Sequence, residues 1–293
     1  MNDTSRPSMP GWLRPRGCVD EARLRRVLAG KTVLVTGASS GIGAATARLL
    51  AQPGVQLILV ARNEARLNAV CRQATAKGAS AHYYCVDFSE TDQVHALGRR
   101  LEAEFPALDV IVSNAGKSIR RRFIDGEQLW RDAARCNQIN HVAPVALLSR
   151  LLPMMIARGS GQVVNVSSVS ARLPAAPYWA AYQSSKSAFD MWFQSLAGEL
   201  RGKGVDLGSV YFPLVHTPMS APGTLYERVP GMSADEAAGT VAHALVSHRR
   251  RVAPWWLWPC EWMAVLFRRP VDWMLAALYR KRALREAREK RDA

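Results

Sequence analysis

Thr36-Gly37-Ala38-Ser39-Ser40-Gly41-Ile42-Gly43 stands between an apolar run, Thr32 to Thr36, and a helical pattern whose apolar face includes Ile42, Ala45, Leu49 and Leu50. Glycines at 37, 41 and 43 permit a tight strand-to-helix turn, close approach of backbone to a pyrophosphate, and close packing of helix on strand. The helix N-terminus adds free N–H groups and a positive dipole end, which suit phosphate. A glycine turn alone is a weak signal, so its surroundings decide the reading.

Outward from that turn, short β-branched runs alternate with helical patterns. The runs are Thr32 to Thr36, Val55 to Val60, Ala81 to Val86, Val110 to Ser113, Gln162 to Ser167 and Val205 to Tyr211, with a weaker seventh at Arg250 to Ala253. Between them, Leu67, Val70, Cys71 and Ala74 share one face of Glu64 to Lys77, and Val94, Leu97 and Leu101 share one face of Glu90 to Glu104. This alternation predicts an α/β, doubly wound (Rossmann), mostly parallel seven-stranded sheet with helices on both faces, followed by a Trp-rich C-terminal helical tail. No Pro/Gly/Ser-rich linker divides the alternating region. Residues 31–253 read as one dinucleotide-binding domain, residues 1–30 as an amphipathic extension carrying Trp12, Leu13, Val19, Leu24, Val27 and Leu28, and residues 254–293 as the tail. Pro213 to Met232 holds Pro218, Pro222, Gly223, Pro230 and Gly231 and reads as a long loop that recognises substrate.

The second strand ends in Val60-Ala61-Arg62-Asn63. A carboxylate there would bind both ribose hydroxyls of NAD; the guanidinium of Arg62 instead suits a 2′-phosphate, so the expected cofactor is NADP(H). Asp87, after the third strand, is placed to accept from the adenine amino group, and Asn114-Ala115-Gly116 borders the same crevice; strand-end turn chemistry is the lesser alternative for each. Tyr182 and Lys186 are four apart on an expected helix, Trp179 to Arg201, and project from one face. An ammonium beside a phenol favours the phenolate and lowers its pKa toward the working range of an acid catalyst. Ser168 ends the preceding strand and can hold a substrate oxygen.

The nucleotide turn, Ser113-Asn114-Ala115-Gly116, a serine-bearing strand end and Tyr182-x-x-x-Lys186 occur in that order, and together they resemble the short-chain dehydrogenase/reductase family. The resemblance implies that Thr36, Gly37, Ser39, Ser40, Gly41, Ile42, Gly43, Arg62, Asp87, Asn114, Ala115, Gly116, Tyr182, Lys186, Pro213, Val215 and Thr217 hold the cofactor. It makes Tyr182 the general acid, Lys186 a ribose ligand that tunes it, Ser168 an oxyanion donor, and Asn140 the holder of a relay water. The Ser168 to Tyr182 interval is one residue longer than usual, so either Arg172 to Pro177 bulges or Ser170 takes the serine's role. Pro213-Leu214 replaces the family's common Pro-Gly. That pair, within Pro213 to Met219 and on through Ala221-Pro222, together with Asn114 to Arg121, Ala237-Ala238 and Arg250 to Ala253, resembles the bacterial long-chain fatty acyl-CoA reductases of this fold. A lipid carbonyl, best a long-chain acyl-CoA, is the implied substrate. Reductases of 3-ketosphinganine, 3-ketoacyl groups or ketosteroids are the enzyme alternatives, and a non-catalytic NADPH-binding sensor or scaffold is the alternative of another class. Arg120, Arg121 and Arg122 read either as ligands of coenzyme A phosphates or as a solvated charged face.

Hydrophobic residues at 48% and charged residues at 22% exclude wholesale disorder and a multispan membrane protein. The net charge of +15 gathers at the ends: +3 in residues 1–30 and +7 in residues 249–293. No recognition motif accompanies it, which argues against nucleic acid. Five cysteines without C-x-x-C spacing or a Cys/His cluster indicate neither a disulfide framework nor a metal, and with no secretory apolar run they point to a reducing, cytoplasmic setting. Val252 to Phe267 is apolar but shorter than a bilayer span, and Trp255, Trp256, Trp258, Trp262 and Trp273 lie beside Arg-rich ends. Three readings stay open for them: a peripheral anchor on the inner face of a membrane, packing on the core, or a homo-oligomer interface.

Overall fold

The computed structural model describes residues 7–17, 19–123, 128–220 and 228–289; Cys18, Ala221, Pro222 and Gly223 of the preceding section fall outside them. Seven strands, β1 (Thr32–Thr36), β2 (Gln56–Ala61), β3 (Ser80–Cys85), β4 (Leu108–Ser113), β5 (Gly161–Ser168), β6 (Val205–Phe212) and β7 (Arg251–Val252), form one sheet in the order β3-β2-β1-β4-β5-β6-β7. Every pairing is parallel, so the expectation of a mostly parallel sheet is met in its strictest form. Both faces are covered, which is why β1 reads as an unbroken apolar run rather than an alternation. Val33 and Val35 belong to one apolar layer, with Leu50 and Val241; Leu34 belongs to the other, with Leu97, Leu148 and Phe193.

The helices follow from the sequence patterns between strands. On the first face lie α1 (Glu21–Leu28), α2 (Gly41–Leu50), α3 (Glu64–Ala76) and, after β6, α8 (Ala234–Ser247). The second face carries α4 (Thr91–Glu104), α5 (Leu129–Asn137), α6 (Ala143–Arg158) and α7 (Ala180–Glu199). Asn63 caps α3 by accepting from the Arg66 N–H, and Ser233 with Glu236 forms a reciprocal capping box on α8. A single wide turn of π-helix, Gln138–Val142, joins α5 to α6. The joined helix, Leu129–Arg158, is apolar and long enough to cross a bilayer, yet half of its most apolar window is buried against this domain, as befits a core helix.

Strand order reverses between β1 and β4, and the carboxyl ends of those strands open a crevice where an α/β sheet takes its ligand. The N-terminal segment crosses the outside of this framework. Ser8 bridges Gly231, the Arg14 guanidinium pairs with Glu236, and Leu24 and Leu28 of α1 are buried. The described ends of the Pro213 to Met232 loop pair with each other: Met232 N–H donates to Leu214 O at 2.9 Å and His216 N–H to Met232 O at 2.8 Å. Beyond β7 come α9 (Leu257–Leu266) and α10 (Arg268–Glu289), the helical tail. Indole N–H groups of Trp255 and Trp256 donate to the carbonyls of Trp12 and Leu13, each at 2.9 Å, and join tail to extension. Trp258, Trp262 and Trp273 do not enter the core; they are exposed.

Candidate active site

The first glycine of the turn, Gly37, has φ +67°, and a Cβ there would lie 2.9 Å from the Ala115 backbone. Gly41, at φ +54°, opens α2 beneath Thr217, whose methyl would sit 3.0 Å from an added Cβ. Gly43 has the least room: a Cβ would fall 2.3 Å from Gly37 O. The turn is clamped from β4 as well. Thr36 Oγ1 accepts the Asn114 and Ala115 N–H groups at 2.9 and 3.0 Å, and Asn114 Nδ2 donates to Thr36 O at 2.9 Å.

A cleft of about 730 Å³ runs from this turn across the sheet's carboxyl edge to α7. It is lined by Gly37, Ser39, Ser40, Gly41, Ile42, Arg62, Asp87, Asn114, Ala115 and Gly116 at one end, and by Ser168, Ser170, Tyr182, Lys186, Pro213, Val215 and Thr217 at the other. Thr36, Gly43 and Asn140 are absent from that lining and stand behind it. Thr36 braces the turn, Gly43 brings α2 against it, and Asn140, 1% exposed, grips the chain at Lys117. Asn140 Oδ1 accepts from Lys117 N–H at 2.7 Å, and its Nδ2 donates to Lys117 O at 2.8 Å and Ser185 Oγ at 2.9 Å. It sits in the π-helical turn, and its Oδ1 would be 3.2 Å from a Cβ on Gly116, an atom also within 3.5 Å of Lys186 Nζ.

The fit to a dinucleotide bearing a 2′-phosphate rests on the cradle that glycine alone permits, the N-terminus of α2, which lines the cleft at Ser40, Gly41 and Ile42, and two guanidinium-bearing residues, Arg62 and Arg66, lining the far end. Arg66 escaped the sequence reading, although its place four residues after Arg62, in the first turn of α3, was an available signal. Asp87 lines the cleft, but its Oδ1 already accepts from the Ser89 N–H and hydroxyl at 2.9 and 2.8 Å, so turn chemistry and cleft position coexist. Burial raises the Asp87 carboxyl, yet the Ser89 hydrogen bonds, with Arg62 and Arg135 nearby, outweigh it and leave its pKa lowered. Arg62→Ala is expected to raise the NADPH dissociation constant about tenfold to a hundredfold and leave that for NADH nearly unchanged, because charged hydrogen bonds of roughly 1.5 to 3 kcal/mol are lost only with the phosphate. Titration of quenched protein fluorescence with both cofactors checks this, and equal losses would refute it.

At the other end, Tyr182 and Lys186 project from α7 into the cleft. Lys186 is buried, its Nζ donates to Val166 O at 3.1 Å, and burial lowers its pKa to about 8 against the opposing carboxylate of Asp190. The expectation that Lys186 acidifies the phenol is not what this structure displays. Burial raises the Tyr182 pKa, and hydrogen bonding from the Ser168 and Ser170 hydroxyls opposes the rise. Both serines therefore face the phenol. A short 3₁₀ turn, Val169–Ala171, capped by Ser168, folds Ser170 Oγ back to 3.0 Å from Ser168 Oγ and absorbs the extra residue of the interval. Gln183 stitches the following loop: Nε2 donates to the carbonyls of Ser170, Leu173 and Pro174, and Oε1 accepts from Ala176 N–H. Trp179, one turn before Tyr182 and missed in the sequence reading, lines the cleft and packs edge-on against the phenol ring, with centroids 5.9 Å apart. Within the arginine run, Arg121 pairs with buried Asp132, while Arg120 is exposed and its guanidinium lies 4.2 Å from the Tyr178 ring centre.

A parallel sheet of this order, a glycine cradle and a Tyr-Lys pair on one helix define a nicotinamide-dependent oxidoreductase. Residues 31–225 match the short chain dehydrogenase family, and the chain belongs to it. Among its relatives are a fatty acyl-CoA reductase of Acinetobacter baylyi, 36% identical across 80% of this chain and 79% of that one, and a fatty acyl-CoA reductase of Mycobacterium tuberculosis, 35% identical across 78% and 77%. A short-chain dehydrogenase from Sphingobium yanoikuyae, solved in complex with NADPH, superposes with a TM-score of 0.72 at 26% identity, covering 83% of this chain and 95% of that one.

Proposed function

We propose that the protein reduces a lipid carbonyl with NADPH, and that its substrate is a long-chain fatty acyl-CoA, converted to the fatty aldehyde and free coenzyme A. One observation carries the reading: the Tyr182 phenol stands with the Ser168 and Ser170 hydroxyls at one end of a cleft whose other end is fitted for a 2′-phosphorylated dinucleotide. The substrate class draws on the likeness to the Acinetobacter and Mycobacterium reductases.

When bound, the reduced cofactor supplies a hydride to the thioester carbonyl carbon. The Ser168 and Ser170 hydroxyls donate to the carbonyl oxygen as charge develops on it, which is where placed donors contribute most. Tyr182 delivers its proton to that oxygen, giving a hemithioacetal. Its collapse breaks the carbon–sulfur bond, forms the aldehyde, and returns the hydroxyl proton to the departing thiolate by way of the site. One hydride and one proton are consumed per thiol released. Lys186, charged below about pH 8, holds the ribose and the electrostatic field in which Tyr182 is reprotonated. Asn140 fixes the backbone at Lys117 and with it the floor of the relay. Lys117 in the cleft and Arg120 beside it supply cations for coenzyme A phosphates, whereas Arg121 is committed to Asp132.

NADPH oxidation measured against acyl-CoAs, fatty aldehydes, 3-ketosphinganine and ketosteroids, with free thiol assayed in parallel, tests the assignment. Long-chain acyl-CoA is expected to yield one thiol per NADPH. Turnover of a ketone without thiol release would replace the thioester reading with ketone reduction.

A further inference from the structure

The tail carries an apolar surface that no other part of the described chain covers. Trp258 (64% exposed), Trp262 (53%), Val265 (74%), Leu266 (66%), Phe267 (48%) and Trp273 (69%) stand in solvent on consecutive helices. A helix apolar nearly all round belongs in a core or in lipid, and α9 occupies neither here. It is nonetheless held firmly on one side. Leu257 is fully buried, and the Glu261 carboxylate bridges Arg172 and Arg251, at 2.7 Å from each.

We propose that α9 and α10 form a docking surface for an anionic lipid bilayer. Three observations select that occupant. Cations border the apolar surface: between residues 249 and 281 there are seven Arg or Lys, namely Arg249, Arg250, Arg251, Arg268, Arg269, Arg280 and Lys281, against two acids, Glu261 and Asp272. All seven are exposed. Basic residues beside a membrane surface add attraction to anionic lipid, and tryptophan rings suit the headgroup boundary. Length excludes a span: α9 has 10 residues where about 20 are needed, and charges interrupt α10 at 268, 269, 272, 280 and 281. A second copy is the poorer partner, because a self-complementary interface would bring this cationic border against its own twin.

The position of the surface gives docking a consequence for catalysis. Tyr279 of α10 rests against Tyr178, with ring centroids 5.4 Å apart, and Tyr178 immediately precedes the cleft-lining Trp179. Tyr178 holds φ +75°, a conformation costly for a bulky side chain, and its ring also lies under Arg120. Docking by the tail therefore brings this side of the cleft to the bilayer, where an acyl chain can pass from lipid toward Tyr182. This last step rests on the lipid-substrate reading of the preceding section; the docking itself does not.

Full-length protein is to be mixed with vesicles of phosphatidylcholine alone or with one quarter phosphatidylglycerol, and the bound fraction measured by flotation. Binding is expected to be about tenfold stronger or more with the anionic lipid and to weaken with salt. The triple variant Trp258→Ser, Trp262→Ser, Phe267→Ser should lose about a hundredfold in partitioning and keep NADPH affinity, which verifies its fold. Wild-type protein that ignores anionic vesicles, or a variant that binds them within about twofold of wild type, overturns the proposal. So does a wild-type dimer that ignores vesicles and becomes monomeric in the variant, since the surface would then belong to a second copy. A water-soluble short-chain acyl-CoA separates the two readings: the variant should turn it over as wild type does while losing vesicle-borne substrate. If neither form releases thiol, the acyl-CoA reading fails and the vesicle result still decides docking.

Discussion

Tyr182→Phe is expected to lower turnover by about a thousandfold or more while leaving NADPH affinity within about twofold. The substitution removes one oxygen and keeps the ring, so the edge-on packing against Trp179 survives. What disappears is a positioned acid, an effect of about 10² to 10⁴ in rate. Because the two serine hydroxyls remain and still stabilise the oxyanion, the residual rate should exceed that in water. Steady-state NADPH oxidation with cofactor binding measured separately checks the split, and turnover within tenfold of wild type would remove Tyr182 from the chemistry.

Gly43→Ala should be the most damaging exchange among the turn glycines. Its new methyl would meet Gly37 O at 2.3 Å, Asn114 Nδ2 at 2.5 Å and Gly37 C at 2.8 Å. Two of these are backbone and the third belongs to the amide that clamps β1 to β4, so no flexible side chain can yield. Overpacking of this kind costs about 3 kcal/mol or more, which for a chain of this size lowers the thermal midpoint by roughly 6 to 12 °C. Displacing Gly37 also spoils the phosphate cradle, and NADPH affinity should fall about a hundredfold. Gly198→Ala is the control: nothing lies within 4 Å of its added Cβ in α7, and helix propensity favours alanine there. A melting temperature for Gly43→Ala equal to that of wild type would refute the steric reading.

The sheet and its helices were legible because both faces are buried. Runs such as Val33-Leu34-Val35 then carry no ambiguity of register, and the glycines around Gly41 announce the first crossover. β7 gave the weakest signal, a run at Arg250 to Ala253, because the strand it marks is only two residues long, Arg251 and Val252. At the site, residue types and spacing located Tyr182, Lys186 and Arg62, all of which line the cleft. They could not say which serine meets the phenol, because that depends on the 3₁₀ turn after β5. Nor could they reveal that Asn140 works from a π-helical turn, as a local change in helical pitch leaves no periodic trace. The sign of the Tyr182 shift was misread for a related reason. Spacing reports a neighbouring ammonium, whereas burial, which here dominates, is a property of the folded cleft. Of the three environments open to the tail, the structure bears on one: Leu257 is inside, and Trp258, Trp262 and Trp273 lie outside the core.

The indole bonds from Trp255 and Trp256 to the carbonyls of Trp12 and Leu13 also impose an order of assembly during synthesis. Segments leaving a ribosome fold in order of emergence, at about 5 to 20 residues per second. The stretch around Trp12 is made before the sheet and must wait for residue 256 before these two contacts exist. A nascent chain halted before residue 255 would hold its sheet strands with the segment around Trp12 still undocked, and that segment would stay open to proteolysis until Trp255 and Trp256 arrive.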